Sequence, residues 1–576
     1  MSLTSTMQIG RSALTASQIG LQITGNNLAN AATPGYSRQL VSLSPARGQD
    51  FGQFVLGKGV DFAGVRRQVD EALQERLRAS ISDQSAAETQ FSVLTQLETV
   101  IGELTTSALS DELISFFNTW SDATSLLQSE GVIVEQGAAI AEFITSLREE
   151  LERMRNQVEQ QIDDRVRDAN TKLDEVAILN KEIAATELSG GGANDLRDRR
   201  DQLLEELSGF MDVTLVESGT VADVLVGSIP VVLGGENRGL SVERVAEGDK
   251  LTAQVRVDDD GSVLNIQGGE IGGLLASRDG SIDDTIERLD DLAVELIFEI
   301  NKIHTTGTNA GGKTLESSTL PIPIDDRALS LNDPLNPTFA SLPFQAVNGG
   351  FLVNVENQTT GATNQVRIDV DLDGLTDAGV AGFADDTSAA DIVAALDAIP
   401  GINAGFDTEG RLEVTAEPGF GFNFEDDSSG VLAVMGLGAF FTGTGSSDIA
   451  VREDLVDNPT RLSVGRMENG SFIENGTALA IVELQDTPLS ALDNRTFLES
   501  WSDASYAVGV AANSAETQAA GDALVRENLI AQRAGVSGVS TDEESINLIT
   551  FQRQYEAAAR LISVADEMLQ TLLSVV

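Results

Sequence analysis

Apolar residues recur along this chain with two different periods, and the changes of period divide it. From about Val132 to Ser189, Ile140, Ile144, Leu147, Leu151, Met154, Val158 and Ile162 follow at three- and four-residue steps, continued by Ala169, Leu173, Val176 and Ile183. This spacing keeps one face of an α-helix apolar. At 1.5 Å per residue the predicted helix is about 85 Å long. Gly190-Gly191-Gly192 ends it. Ile271 to His304 reads as a second helix and Asn494 to about Gln532 as a third. Period-two patterns lie between them: Val213 to Val216, Val221 to Val226 and Val231 to Leu233 read as short strands. Phe351 to about Gly445 alternates around Val366, Ile368 and Val370, with one short helix near Ala389 to Ala398.

The two ends carry a stricter repeat. Met7, Leu14, Leu21 and Leu28 fall one heptad apart. Leu548, Phe551, Tyr555, Ala558, Ile562, Ala565, Leu569, Leu572 and Val576 alternate steps of three and four without a break, the pattern of a coiled-coil seam. A lone helix of about 30 residues cannot bury such a seam unaided. The two ends are therefore expected to pair with each other and with neighbouring copies.

Proline sharpens the divisions. None lies between Pro45 and Pro230 or after Pro488, and five of the 12 fall between Pro321 and Pro343. The long proline-free stretches leave room for long helices, and the cluster marks a linker. The expected architecture is a multidomain α+β chain: terminal helices pairing as a coiled coil, a long-helix bundle domain, and outer β-rich parts. Its expected divisions are an inner N-terminal region at 1–66, a discontinuous helical rod domain at 67–209, 270–305 and 461–532, a small β-rich insertion at 210–269, an outer β-rich domain at 306–460, and an inner C-terminal helix at 533–576.

Charge removes several functions. With 576 residues, 37 Lys plus Arg and 90 Asp plus Glu, the net charge is −53, which opposes binding to nucleic-acid phosphates. Residues 321–460 alone hold 23 acids against four Arg and read as a solvated outer face. Residues 1–49 hold three Arg and no acid, whereas 541–576 hold six acids and two Arg, so the ends are complementary. The chain has no Cys and one His, so thiolate chemistry and His-rich metal sites are absent. No apolar run approaches the roughly 18 residues of a membrane span, and the start lacks a basic signal region. Membrane insertion and a cleaved signal peptide are not expected. Aromatics make up 5% of residues, so the cores are expected to be aliphatic.

Candidate chemistry is sparse. Asp369-Val370-Asp371-Leu372-Asp373-Gly374 opens like an EF-hand calcium loop, but position twelve is Val380 and the flanks read as strand and turn. His304 ends a predicted helix, where an imidazolium would complement the helix dipole. Walker A and HExxH motifs are absent. No catalytic residue, metal or cofactor is expected.

The bend after the first predicted helix is more telling. Asn26-Asn27-Leu28-Ala29-Asn30 is followed by Thr33-Pro34-Gly35-Tyr36-Ser37-Arg38-Gln39. Asn tolerates the conformation that ends helices, Pro34 forbids continuation, and Gly35 permits a sharp turn. These residues resemble the N-terminal signature of the flagellar rod/hook axial protein family. Asp542-Glu543-Glu544, Asn547-Leu548-Ile549, Gln552, Tyr555-Glu556-Ala557 and Ala565-Asp566-Glu567 are similar to its C-terminal helix. Pro34-Gly35-Tyr36-Ser37-Arg38-Gln39, Asn194-Asp195-Leu196, Asp198 to Leu203, and the region from Ile303 and His304 to Gly307 resemble hook-associated proteins of the hook–filament junction within that family.

The resemblance implies a non-enzymatic structural component of the bacterial flagellum, joining hook to filament. It implies a location outside the cell, after export through the flagellar type III channel without a cleaved signal. The implied partners are flagellar hook protein, a second junction protein, a cytoplasmic export chaperone and other copies in a ring or helical assembly. The expected assembly interface comprises Met7, Leu14, Leu21, Leu28, Asn30, Pro34, Gly35 and Tyr36 at one end. At the other it comprises Leu548, Phe551, Tyr555, Ile562, Leu569 and Leu572. Another axial protein, such as hook protein or the second junction protein, and a calcium-binding surface protein are the alternative readings.

Overall fold

The computed structural model describes residues 3–51, 54–102, 108–125, 129–247, 250–376 and 378–575. Val576, the last position of the C-terminal repeat, lies outside them. The chain is multidomain α+β and forms two compact units: Met1–Val93, Gln157–Arg278 and Ala512–Val576 make the first, and Leu94–Asn156 with Asp279–Ala511 the second. Three of the four boundaries fall inside helices, at Glu71–Ile101, Glu130–Leu188 and Phe497–Ser537. The helical stretches expected to form one rod domain are thus shared between units.

Glu130–Leu188 is a single helix of 59 residues. Ile140, Ile144, Leu151, Ile162, Leu173 and Val176 are fully buried along one stripe. The helix ends where expected, with Gly190 at φ +82° and its N–H donating to Glu187 O at 3.0 Å. Glycine enters that left-handed region without the Cβ penalty.

In the first unit the strands Val213–Ser218, Val221–Val226, Ile229–Leu233 and Glu236–Asn237 form an antiparallel sheet in sequence order. A hairpin follows, Leu240–Glu247 with Lys250–Val257, that the periodicity did not single out. Ile271 to His304 is not one helix. Gly269–Ser277 and Asp283–Thr305 are separated by a π-helical turn at Arg278–Ile282. The interruption coincides with Asp279-Gly280-Ser281, which are poor helix formers. It also positions the buried Arg278 guanidinium, whose Nη1 donates to Glu159 Oε1 at 2.9 Å and Ala253 O at 3.0 Å.

In the second unit, Gly349–Asn357 lies between Ala362–Val370 and Phe420–Glu425 in an antiparallel sheet. Ala389–Asp397 supplies the short helix expected there, opened by a reciprocal Ser388–Asp391 cap. Between them they bury Phe351, Val353, Ile368, Ile392, Leu396, Phe422 and Phe424. The acidic region is therefore folded around a hydrophobic core within the second unit.

The few aromatics are concentrated rather than absent from cores. Phe116, Phe117, Trp120, Phe440, Phe441 and Phe497 meet in one buried cluster, with Phe440 and Phe441 ring centroids 4.7 Å apart and perpendicular. His304 lies edge-on to Phe440 and its Nδ1–H donates to Gly438 O at 2.8 Å. Burial pushes its pKa down to about 3, and Lys313 adds to the shift. The ring is thus neutral at pH 7, and the expected role as a charge at the helix end is not the one it plays.

Candidate assembly site: the paired ends and their corner

The N-terminal helix, Leu3–Ala29, and the C-terminal helix, Thr541–Val575, pack against each other along their lengths. The face that the N-terminal helix presents is not the leucine heptad. Its buried residues are Gly10, Ala16, Ser17, Gly20, Thr24 and Asn27, and all but Ala16 lie on one face, at steps of seven, three, four and three. A Cβ placed on Gly20 would stand 2.6 Å from the Phe551 ring, and one on Gly10 would stand 2.7 Å from Ile562 Cγ1. Phe551 and Ile562 thus rest directly on N-terminal backbone.

On the C-terminal helix, Ala558 and Ala565 are buried, and Leu548, Phe551, Ile562 and Leu569 are partly covered. Tyr555 and Leu572 remain exposed, at 38% and 56%. Of the N-terminal heptad, Met7, Leu14 and Leu21 are half-buried and Leu28 is exposed. A pattern of large apolar side chains does not reveal this small-residue stripe. Its signal is present in the sequence as Gly10, Ala13, Ser17, Gly20, Thr24 and Asn27 at alternating steps of three and four.

At one end of the pair the motif residues converge. The helix stops as Asn30 N–H and Nδ2 both donate to Asn26 O at 3.0 Å. Thr33 Oγ1 donates to Asn30 Oδ1 at 3.2 Å, and Gly35 takes φ +78° after Pro34. This bend returns Tyr36 to the helix it has just left. Its hydroxyl donates to Asn27 Oδ1 at 2.8 Å, and the same oxygen accepts Gln39 N–H at 3.0 Å. Asn27 Nδ2 donates to Gln39 O at 2.9 Å and to Glu544 Oε2 at 3.1 Å. One buried amide therefore joins helix end, following strand and C-terminal helix.

Charge completes the corner. Arg38 donates from Nε and Nη2 to Glu544 Oε1 at 2.9 and 2.7 Å, and from Nη1 to Glu543 Oε2 at 2.8 Å. Glu544 is buried, so this pairing and Asn27 satisfy a carboxylate withdrawn from water. From the helix Asn194–Ser208, Asp198 accepts Ser37 N–H at 3.2 Å and Arg67 Nη1 at 2.9 Å. Asp195 Oδ1 accepts Gln39 Nε2 at 3.1 Å. Burial pushes the Asp198 carboxyl up despite Arg67. Burial first, then Asp195, Asp198 and Glu544, raise Tyr36 to about 12. A cleft of about 260 Å³ opens beside the bend, lined in part by Pro34, Gly35, Tyr36, Asp195 and Arg199. The geometry ties the helix end, the bend, the following strand and the C-terminal helix into one network. It is a structural knot.

The segments in this knot are those that known proteins share. The pattern described as flagella basal body rod protein matches residues 7–36, and that of the flagellar basal body rod FlgEFG protein C-terminal matches 533–575. The flagellar hook-associated protein FlgK helical domain matches 94–317. Flagellar hook-associated protein 1 of Salmonella typhimurium is 26% identical over 98% of both chains. The chain belongs to the flagellar hook-associated protein family. Flagellar hook-associated protein 1 of Bacillus subtilis is 28% identical over 53% of this chain and 68% of its own. The flagellar hook junction protein FlgK from Burkholderia pseudomallei aligns with a TM-score of 0.48 and 15% identity, covering 80% of this chain and all of that one. As a member of this family the chain is a structural component of the flagellum. No helix among the described residues is long and apolar enough to cross a membrane.

Proposed function

We propose that this subunit enters the hook–filament junction through the outer faces of its paired terminal helices. The observation that carries this reading is the apolar stripe left on the C-terminal helix after it has packed against Gly10 and Gly20. Ile546 and Ile549 near its start, and Leu561, Val564, Met568 and Leu572 at three- and four-residue steps near its end, are all exposed. Near its end, Val564, Met568 and Leu572 line an open apolar groove of about 500 Å³ with Leu3. Exposed apolar surface arranged this way fits a further helix, and a second copy of the same pair would supply one. Ring or helical self-association, with hook protein on one side and a second junction protein on the other, follows from this reading. A cytoplasmic chaperone covering the same stripe would keep the subunit soluble before export without a cleaved signal.

Placement changes the choice of variant. Ile562 packs on Gly10, so its replacement tests pairing within the chain. Val564→Glu tests assembly, because Val564 is 52% exposed. The expected outcome is a secreted Val564→Glu protein with the melting temperature of the wild type that fails to support a filament. Ser563→Glu, also exposed, should swim normally. Normal motility of Val564→Glu would reject the exposed stripe as the assembly face.

A further inference from the structure

A second constellation lies far from the terminal helices in sequence and plays no part in the reading above. Asp371, Asp373 and Asp386 each offer a carboxylate oxygen, and these oxygens lie within 4.8 Å of one another. Calcium holds oxygen ligands at about 2.3–2.6 Å, so oxygens on opposite sides of one ion stand about 4.8 Å apart. A single ion can therefore touch all three.

Proximity of acids alone is common on so acidic a chain. The deciding feature is Asp386. It is 4% exposed, its Oδ2 accepts Asn332 Nδ2 at 2.7 Å and Gly374 N–H at 3.1 Å, and its buried Oδ1 has no hydrogen-bond partner among the described residues. The Oδ1 of the same Asn332 is also buried and unpartnered. One orphaned acceptor thus belongs to the buried carboxylate itself and a second to the amide that holds its other oxygen. Among the described residues no Lys or Arg pairs with Asp371, Asp373 or Asp386, and Arg367 is engaged with Asp369. A buried oxygen left without a donor is costly. Water could serve a hydrogen bond but leaves three clustered negative charges uncompensated, whereas a cation answers both.

We propose that Asp371, Asp373 and Asp386 bind a calcium ion in the acidic domain. The backbone holds the carboxylates near each other before any ion arrives. Asp371 N–H donates to Thr387 Oγ1 at 2.8 Å, and Thr387 N–H returns to Asp371 O at 2.7 Å. Gly374, at φ +69°, turns the chain after Asp373. An all-oxygen donor set favours a hard cation over zinc or copper. An irregular, half-open set of three ligands suits calcium better than magnesium, which demands a near-ideal octahedron. This is not an EF-hand. Val380 at the twelfth position is 63% exposed, and the third carboxylate comes from Asp386, 13 residues beyond Asp373. Loop spacing alone therefore pointed away from a metal.

The test is calorimetric titration of the chelator-treated full chain with calcium chloride, repeated with magnesium chloride, alongside melting curves. One saturable calcium site is expected, with affinity in the range of roughly 10⁻⁴–10⁻³ M seen for extracellular modules, and a raised melting temperature. Asp371→Asn with Asp373→Asn removes two exposed ligands and should weaken binding at least tenfold. Glu413→Gln with Glu417→Gln makes the same charge change on exposed positions nearby in sequence and should leave binding unchanged. A flat calcium titration, equal loss in both double variants, or equal affinity for magnesium would each overturn the assignment.

Discussion

The 59-residue helix and the N-terminal helix bury their seams by opposite means. Glu130–Leu188 fills its stripe with Ile144, Leu151, Ile162 and Leu173, all wholly covered. Leu3–Ala29 presents Gly10, Ser17, Gly20 and Thr24, and receives Phe551 and Ile562 from the other helix. In the first, bulk comes from the helix itself. In the second, bulk comes from the partner, and the helix contributes the absence of it. Large apolar residues therefore mark a buried face only where no other element supplies the volume.

The contrast is open to breakage by substitution. Leu173→Ala opens a cavity in a face with no exposure and should cost about 2–5 kcal/mol, read from the denaturant midpoint. An effect below about 1 kcal/mol would mean the long seam repacks freely.

Acid should act on the large-residue core of the second unit through His304. Its pKa falls from an ordinary 6.5 to about 3, by burial and Lys313, with Arg452 adding to the fall and Glu316 opposing it. Between those values the unfolded chain binds a proton that the folded chain refuses, so stability rises with pH across this window and is lost on acidification. The loss approaches about 1.4 kcal/mol per pH unit inside the window. His304→Asn, which retains a donor for Gly438 O, should flatten the slope between pH 6 and 4 measured by urea unfolding. An unaltered slope would place the titration elsewhere.

Gly20→Leu should cost about 1–3 kcal/mol by driving a side chain into Phe551. The sharper version is Gly20→Leu combined with Phe551→Ala, which moves bulk from one helix to the other and should recover part of the loss. Leu28→Ala, at a position 40% exposed, should change stability by less than about 0.5 kcal/mol. A cost equal to that of Leu173→Ala would restore the leucine heptad as the seam.

Long-range pattern was legible where one element carried its own signal. The periodicity from Ile140 to Ile183 located the long helix nearly to its ends, and Gly190 its stop. The strands Val213–Ser218 and Val221–Val226 and the helix Ala389–Asp397 were equally readable. The π-turn at Arg278 was not, because Asp279-Gly280-Ser281 weakens a helix without saying how it is interrupted, and the groups Arg278 reaches, Glu159 and Ala253 O, are brought to it by the fold. The same holds at the corner. Turn chemistry announced a bend at Pro34-Gly35, but the four hydrogen bonds of Asn27 depend on residues 9, 12 and 517 positions away. The Tyr36 hydroxyl returns to Asn27 of the helix it has just left, a partner that turn chemistry does not announce. Asp386 escaped notice for a related reason, since its neighbours are set by a fold and not by a spacing.

The 517-residue separation between Asn27 and Glu544 also sets an order of events in time. Non-local contacts form late, because the loop they close must be gathered first. A chain delivered from its N-terminus presents Gly10 and Gly20 long before Phe551 and Ile562 exist to fill them. The second unit, which holds the acidic region, contains no residue from the last 35 and can settle earlier. The paired ends are thus the closing step of folding, and a subunit lacking its final helix would keep its middle while never completing its corner. Arg38 and Glu544 act in this sense as a check that the whole chain has arrived.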